Sequence, residues 1–97
     1  MTEACAETLM LRPEHLEALA RAARGVAGAL IRREGRLQPE GAALYGRFEV
    51  LANCGLLEFL ERVEAGAGDG EVWVYYALTG RGRILLRWRL GSRALAA

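Results

Sequence analysis

The sequence has no lysine. Its 13 basic residues are all arginine, set against 12 acids for a net charge of +1. That total says nothing about partners until the charges are placed along the chain. No apolar run approaches the roughly 18 residues of a membrane span, so no membrane association is expected. The N-terminus, MTEACAETLMLRPE, carries acids where a secretion signal needs bases and lacks an apolar centre. A cytoplasmic protein is the expectation, with Cys5 and Cys54 reduced. A single histidine, His15, and two distant cysteines do not make a zinc site. Neither cysteine has a neighbour that would favour a thiolate: Cys5 has only Arg12 nearby in sequence, and Cys54 falls at a helix C-terminus. No nucleophile–base–acid set and no functional carboxylate pair stands out. The chain is therefore expected not to be an enzyme and to need neither cofactor nor metal.

What is present fits one domain, since 97 residues hold a single modest core. Residues 1–12 read as an N-terminal arm and 13–97 as the domain. Pro13 opens a helix, with Glu14 and Glu17 at its positive end. Leu16, Leu19, Ala20, Ala23, Val26, Ala27, Leu30 and Ile31 recur at three- and four-residue spacing, with Gly35 as a stop. The segment 13–34 is expected to form one helix, or two broken near Gly25. A further helix runs from Pro39, with Leu44, Phe48, Leu51 and Ala52 as its apolar stripe and Gly55 as a left-handed cap. Leu56 to Val63 and Glu71 to Leu78 read as the strands of a hairpin tipped by EAGAGDG. Thr79 then caps a last, arginine-rich helix through Ile84, Leu85 and Trp88 towards Leu95.

Asn53-Cys54-Gly55-Leu56-Leu57, a glycine-tipped hairpin, and then Tyr76-Ala77-Leu78-Thr79-Gly80-Arg81-Gly82-Arg83-Ile84-Leu85-Leu86 follow in order. This succession resembles the winged helix-turn-helix transcription regulators of PadR-like or MarR-like type, over about residues 37–90. In those families the second wing strand closes with Tyr-x-Leu-Thr-x-x-Gly-x-x-Leu-Leu, met here at Tyr76, Leu78, Thr79, Gly82, Leu85 and Leu86. The resemblance implies an α+β winged helix: a three-helix core, a two-stranded β-hairpin wing and a C-terminal helix. It places a supporting helix on 26–34 and a recognition helix on 39–53. The step from Gly35 to Gly55 is longer than the family pattern, so either the recognition helix is long or the second helix is remodelled.

The implied function is a small dimeric regulator binding double-stranded DNA through Arg32, Arg33, Arg36, Arg47, Arg81 and Arg83. The charge distribution points to an alternative, a protein-interaction module without DNA binding. The hairpin 56–78 has Arg62 against Glu58, Glu61, Glu64, Asp69 and Glu71, net −4. The last helix has Arg81, Arg83, Arg87, Arg89 and Arg93 with no acid, net +5. An acidic wing would be repelled by phosphates, whereas opposed patches suit protein pairing. Period two puts Val72, Val74, Tyr76 and Leu78 on one strand face and Trp73, Tyr75 and Ala77 on the other. The second face is too apolar to stand free, so it should be covered by the terminal helix or a second subunit. A homodimer through the N- and C-terminal helices is expected, with Trp73, Tyr75, Trp88 and Leu95 at its interface.

Overall fold

A computed structural model describes residues 11–66 and 70–90. The expected arm before residue 11, Cys5, the hairpin tip at 67–69 and Leu95 lie outside them. The described chain runs α1 (Pro13–Ala23), β1 (Ala27–Arg33), β2 (Arg36–Leu37), α2 (Pro39–Asn53), β3 (Leu57–Ala65), β4 (Glu71–Leu78) and α3 (Gly80–Leu90). The strands form one antiparallel four-stranded sheet in the order β2-β1-β4-β3. The α+β class and the 56–78 hairpin are as the sequence suggested. None of the described helices is long and apolar enough to cross a membrane.

Residues 26–34 depart from the helical expectation, and with them the three-helix core. Among the described residues only α1 and α2 precede the hairpin, and α1 stops at Ala23. The chain breaks at Gly25 and re-enters as strand β1. Ala27 and Ala29 turn to the core, while Gly28 and Leu30 turn away from it. The same apolar residues satisfy a helical stripe and a period of two, and a short run of this kind is ambiguous by pattern alone. Tertiary demand decides it, because β4 is apolar on both faces and takes a hydrogen-bonded neighbour on each side. Gly35 is not a helix stop. With Glu34 (φ 52) and Gly35 (φ 72) both left-handed, it forms the two-residue turn of the β1–β2 hairpin.

All three described helices feed one core on the Val74–Tyr76 face of the sheet. Leu19 from α1, Phe48 and Leu51 from α2 and Leu86 from α3 are fully buried there. Tyr76, also fully buried, packs its ring against Phe48 at 5.1 Å and edge-on to Phe59 at 5.5 Å. Its hydroxyl donates to Glu49 on α2. Burial and then this carboxylate push the Tyr76 phenol well above its ordinary range, so it stays a neutral donor. Glu49 therefore belongs to the core's polar lock and not to a free helix face. At the start of α1, His15 Nδ1 accepts from the Arg12 backbone N–H at 3.4 Å, which gives the lone histidine a role in capping.

The Thr79 junction forms as the sequence implied. Helix α2 ends with Gly55 (φ 77), the Gly55 N–H donating to Ala52 O (3.0 Å) and the Leu56 N–H to Leu51 O (2.9 Å). Thr79 Oγ1 donates to Gly55 O at 2.7 Å and accepts the Gly82 N–H at 3.0 Å, while the Thr79 N–H reaches Leu56 O at 3.2 Å. A Cβ on Gly82 would stand 2.2 Å from Leu56 O, so α3 can follow this path only with glycine there.

Thr79→Val keeps the side-chain shape and removes both Oγ1 bonds, and should lower unfolding free energy by about 1–3 kcal/mol. Gly82→Ala, which drives a methyl into backbone, should cost more than Thr79→Val. Urea unfolding followed by far-UV circular dichroism measures both. Equal stability of Gly82→Ala and wild type would show that α3 does not lie against Leu56.

Candidate functional site

The sheet face opposite the core carries no described helix. Cross-strand register arranges it in rows, because paired residues in an antiparallel ladder share a face. Leu30, Trp73 and Val63 form one row across β1, β4 and β3. Gly28, Tyr75 and Glu61 form the next, and Ala77 with Glu58 begins a third. Val26, two residues before Gly28, is 62% exposed. The expected split of β4 into two faces is therefore present. Helix α3 packs with α1 and the backbone of Leu56, on the core side, and does not cover this apolar face.

The aromatic pair on this face is held in place. Trp73 and Tyr75 stack with ring centroids 6.1 Å apart and planes 13° from parallel. Gly28 makes room for that arrangement: a Cβ there would meet the Tyr75 ring at 2.7 Å. Trp73 Nε1 donates to Glu71 Oε1 at 2.9 Å, and Arg33 donates to Glu71 Oε2 through Nε (3.0 Å) and Nη2 (2.9 Å). The Trp73 bond first, and the Arg33 bond next, hold the Glu71 carboxyl below its ordinary range. Arg33 thus bridges β1 to β4 and fixes the indole through the shared carboxylate.

A second apolar surface lies on α3. Gly82 and Leu86 are buried, so Ile84 and Trp88, one turn apart, project on the opposite side. Ile84 is 61% and Trp88 82% exposed. On a helix of 3.6 residues per turn Arg81 and Arg87 lie about 60° to either side of Ile84. Beside it a shallow cleft of about 170 Å³ is lined by Leu56, Arg81, Ile84, Leu85 and Trp88.

The six arginines assigned to DNA do not form one stripe. Arg32, Arg33 and Arg36 are exposed on the β1–β2 hairpin, with Arg33 and Arg36 paired across the strands. That hairpin adjoins the N-terminus of α2, where Gln38 Nε2 donates to Arg36 O at 3.2 Å. Arg81 lies at the other end of α2, beside Gly55. A helix of 15 residues separates these groups by about 22 Å. Arg47 is half-buried between them, in a cleft of about 590 Å³ that it shares with Glu17, Arg21 and Glu40. The outward face of α2 presents Ala43, Gly46 and Val50, with Glu40 and Asn53 exposed towards its two ends. Of the expected interface residues, Trp73 and Tyr75 share the open sheet face and Trp88 stands on the α3 ridge. The sequence reading missed Glu71 and its bond to Arg33, which are 38 residues apart and have no short-range signal. Cys54 is buried at the end of α2.

Because Glu71 is held below its ordinary value of about 4.3, the tie to Trp73 should be complete above that pH and lost as pH falls through the lower folded-state value. In a Trp88→Phe background, where Trp73 is the sole indole, fluorescence should change in acid with a midpoint below about 4.3 while circular dichroism holds. Glu71→Ala should abolish that transition. An identical titration in Glu71→Ala would show that the carboxylate does not hold the ring.

No protein-family model matches the chain, and comparisons with curated proteins and with solved structures return no match, so a functional reading rests on the chain's own chemistry.

Proposed function

We propose that this chain is a small protein-interaction domain on a winged-helix-like frame, docking its partner on the Trp73–Tyr75 face, and not a reader of duplex DNA. The observation that carries the reading is the pre-set aromatic platform: two stacked rings, one anchored by Glu71, on the side of the sheet that no described helix covers. Rigid aromatic anchors are what protein interfaces use at their centres, since little side-chain entropy is lost on docking. Supporting the winged-helix frame are the order helix, strand, helix, hairpin, helix and the placement of β1 beside β4. Where the resemblance would put a supporting helix, at 26–34, this chain has strand β1 leading into the Glu34–Gly35 turn.

Electrostatics and side-chain chemistry argue against DNA. Base edges are read by hydrogen-bonding side chains, and Ala43, Gly46 and Val50 offer none. Phosphate neutralisation supplies most nonspecific affinity, yet the 56–78 hairpin is net −4 and the arginines divide between the two ends of α2. The exposed Arg32 and Arg36 favour the regulator as a second reading.

Titration with a short random duplex separates the two. Near 50 mM salt no saturable binding is expected, where a phosphate-tracking protein would bind and then weaken about a thousandfold or more by 200 mM. Binding with that salt dependence, lost on replacing Arg32, Arg33 and Arg36 together by alanine, would overturn the interaction reading and establish the regulator.

A further inference from the structure

The structure leaves two apolar surfaces uncovered by any described residue, and their charges are opposite. On the sheet, Glu58 and Glu61 of β3 stand in register beside Ala77 and Tyr75, and the only arginine of β3, Arg62, pairs with Val74 on the other face. On α3, the Ile84–Trp88 ridge is bordered by arginines, and the helix contains no acid. Two α3 ridges packed on each other would bury two indoles well but bring together two helices of like charge, an arrangement that selects against itself. An α3 ridge laid on the open sheet meets acids with arginines and aliphatic or indole carbon with stacked rings.

Resting on the interaction reading above, we infer that the partner of the open sheet face is a second copy of this chain. The Ile84–Trp88 ridge of each copy docks across the Trp73–Tyr75 platform of the other, with arginines of α3 against Glu58 and Glu61. Guanidinium groups suit this face for a further reason: they stack on Trp and Tyr rings as well as pairing with carboxylates. The contact is heterologous, ridge on platform, and is made twice where a two-fold pair brings both surfaces of each copy to the seam.

Size sets the strength. Three strands about 4.8 Å apart and three same-face positions along each make a platform of roughly 300 Å². Two such contacts remain below the roughly 800 Å² per partner of a standard stable interface, so a reversible dimer in the micromolar range is expected. Its affinity should fall as salt screens the rim charges.

Sedimentation equilibrium of the full chain up to about 100 μM tests this. Wild type should be a monomer–dimer mixture, with dissociation constant rising about tenfold or more between about 50 and 500 mM salt. Trp88→Ala, which removes a side chain that is 82% exposed and so leaves the monomer's stability alone, should weaken the dimer at least about tenfold. Glu58→Arg with Glu61→Arg, and separately Arg81→Glu with Arg87→Glu, should each weaken it similarly. The four changes combined in one chain should restore association, since every contact is then reversed in sign. Dimers unaffected by the acid reversal but lost with Trp88→Ala would mean that α3 meets some other surface, and would overturn the inference. A wild-type chain that stays monomeric throughout would overturn it too. The duplex titration bears on the interaction reading alone, so the two can fail separately.

Discussion

The Thr79 hydroxyl is the constraint from which the arrangement of the second half of the chain follows. It is engaged in both directions, donating to Gly55 O past the end of α2 and accepting the Gly82 N–H in the first turn of α3. Three elements with separate sequence signals meet at that one oxygen. β4 must stop there, α2 must end at Asn53 with Gly55 turning the chain into Leu56, and α3 must leave at an angle that brings Gly82 onto the Leu56 carbonyl. Once that path is set, the helical period leaves no choice about which side of α3 is buried. Leu86 goes into the core and Trp88 goes out, so the ridge follows from the junction.

β4 carries the complementary decision. Tyr75 and Tyr76 are neighbours in sequence and opposites in environment. Tyr76 is sealed among Phe48, Phe59 and α2, its neutral hydroxyl given to Glu49, so α2 is pinned to the strand by a bond that low local polarity strengthens. Tyr75 lies over a glycine on the other side, in a space that any larger residue at position 28 would fill. One strand thus organises the core with its even-numbered side chains and the platform with its odd-numbered ones. The two jobs are separable by substitution because they share only backbone.

Much of this was legible beforehand, for physical reasons that can be named. Thr79, Gly82 and Gly55 act through neighbours a few residues away or through backbone geometry, and such signals are written locally. The division of β4 into two faces follows from strand pleating alone. Residues 26–34 could not be read in the same way. Their apolar spacing serves two periods, and the deciding factor is that β4, whose paired positions lie 40 to 49 residues later, needs a second pairing edge. Long range also hid the Arg33–Glu71–Trp73 tie, which joins two distant segments of the chain across the sheet. Placing the arginines by sequence segment gave the correct sign for each element. It could not show that α2 holds two of the groups apart, because that is a matter of helix length and orientation.

The register slip at Leu60, where β3 bulges between Phe59 and Glu61, has a meaning beyond local geometry. β3 is one border of the sheet, and the bulge falls in its middle, flanked by Glu58, Glu61, Arg62 and Glu64. At the other border β2 offers only two residues, with Arg33 and Arg36 side by side. A kinked border studded with charge and a stub carrying paired cations are poor templates for another chain's backbone. Both borders therefore discourage a further strand from joining, and the ladder ends with its own four members.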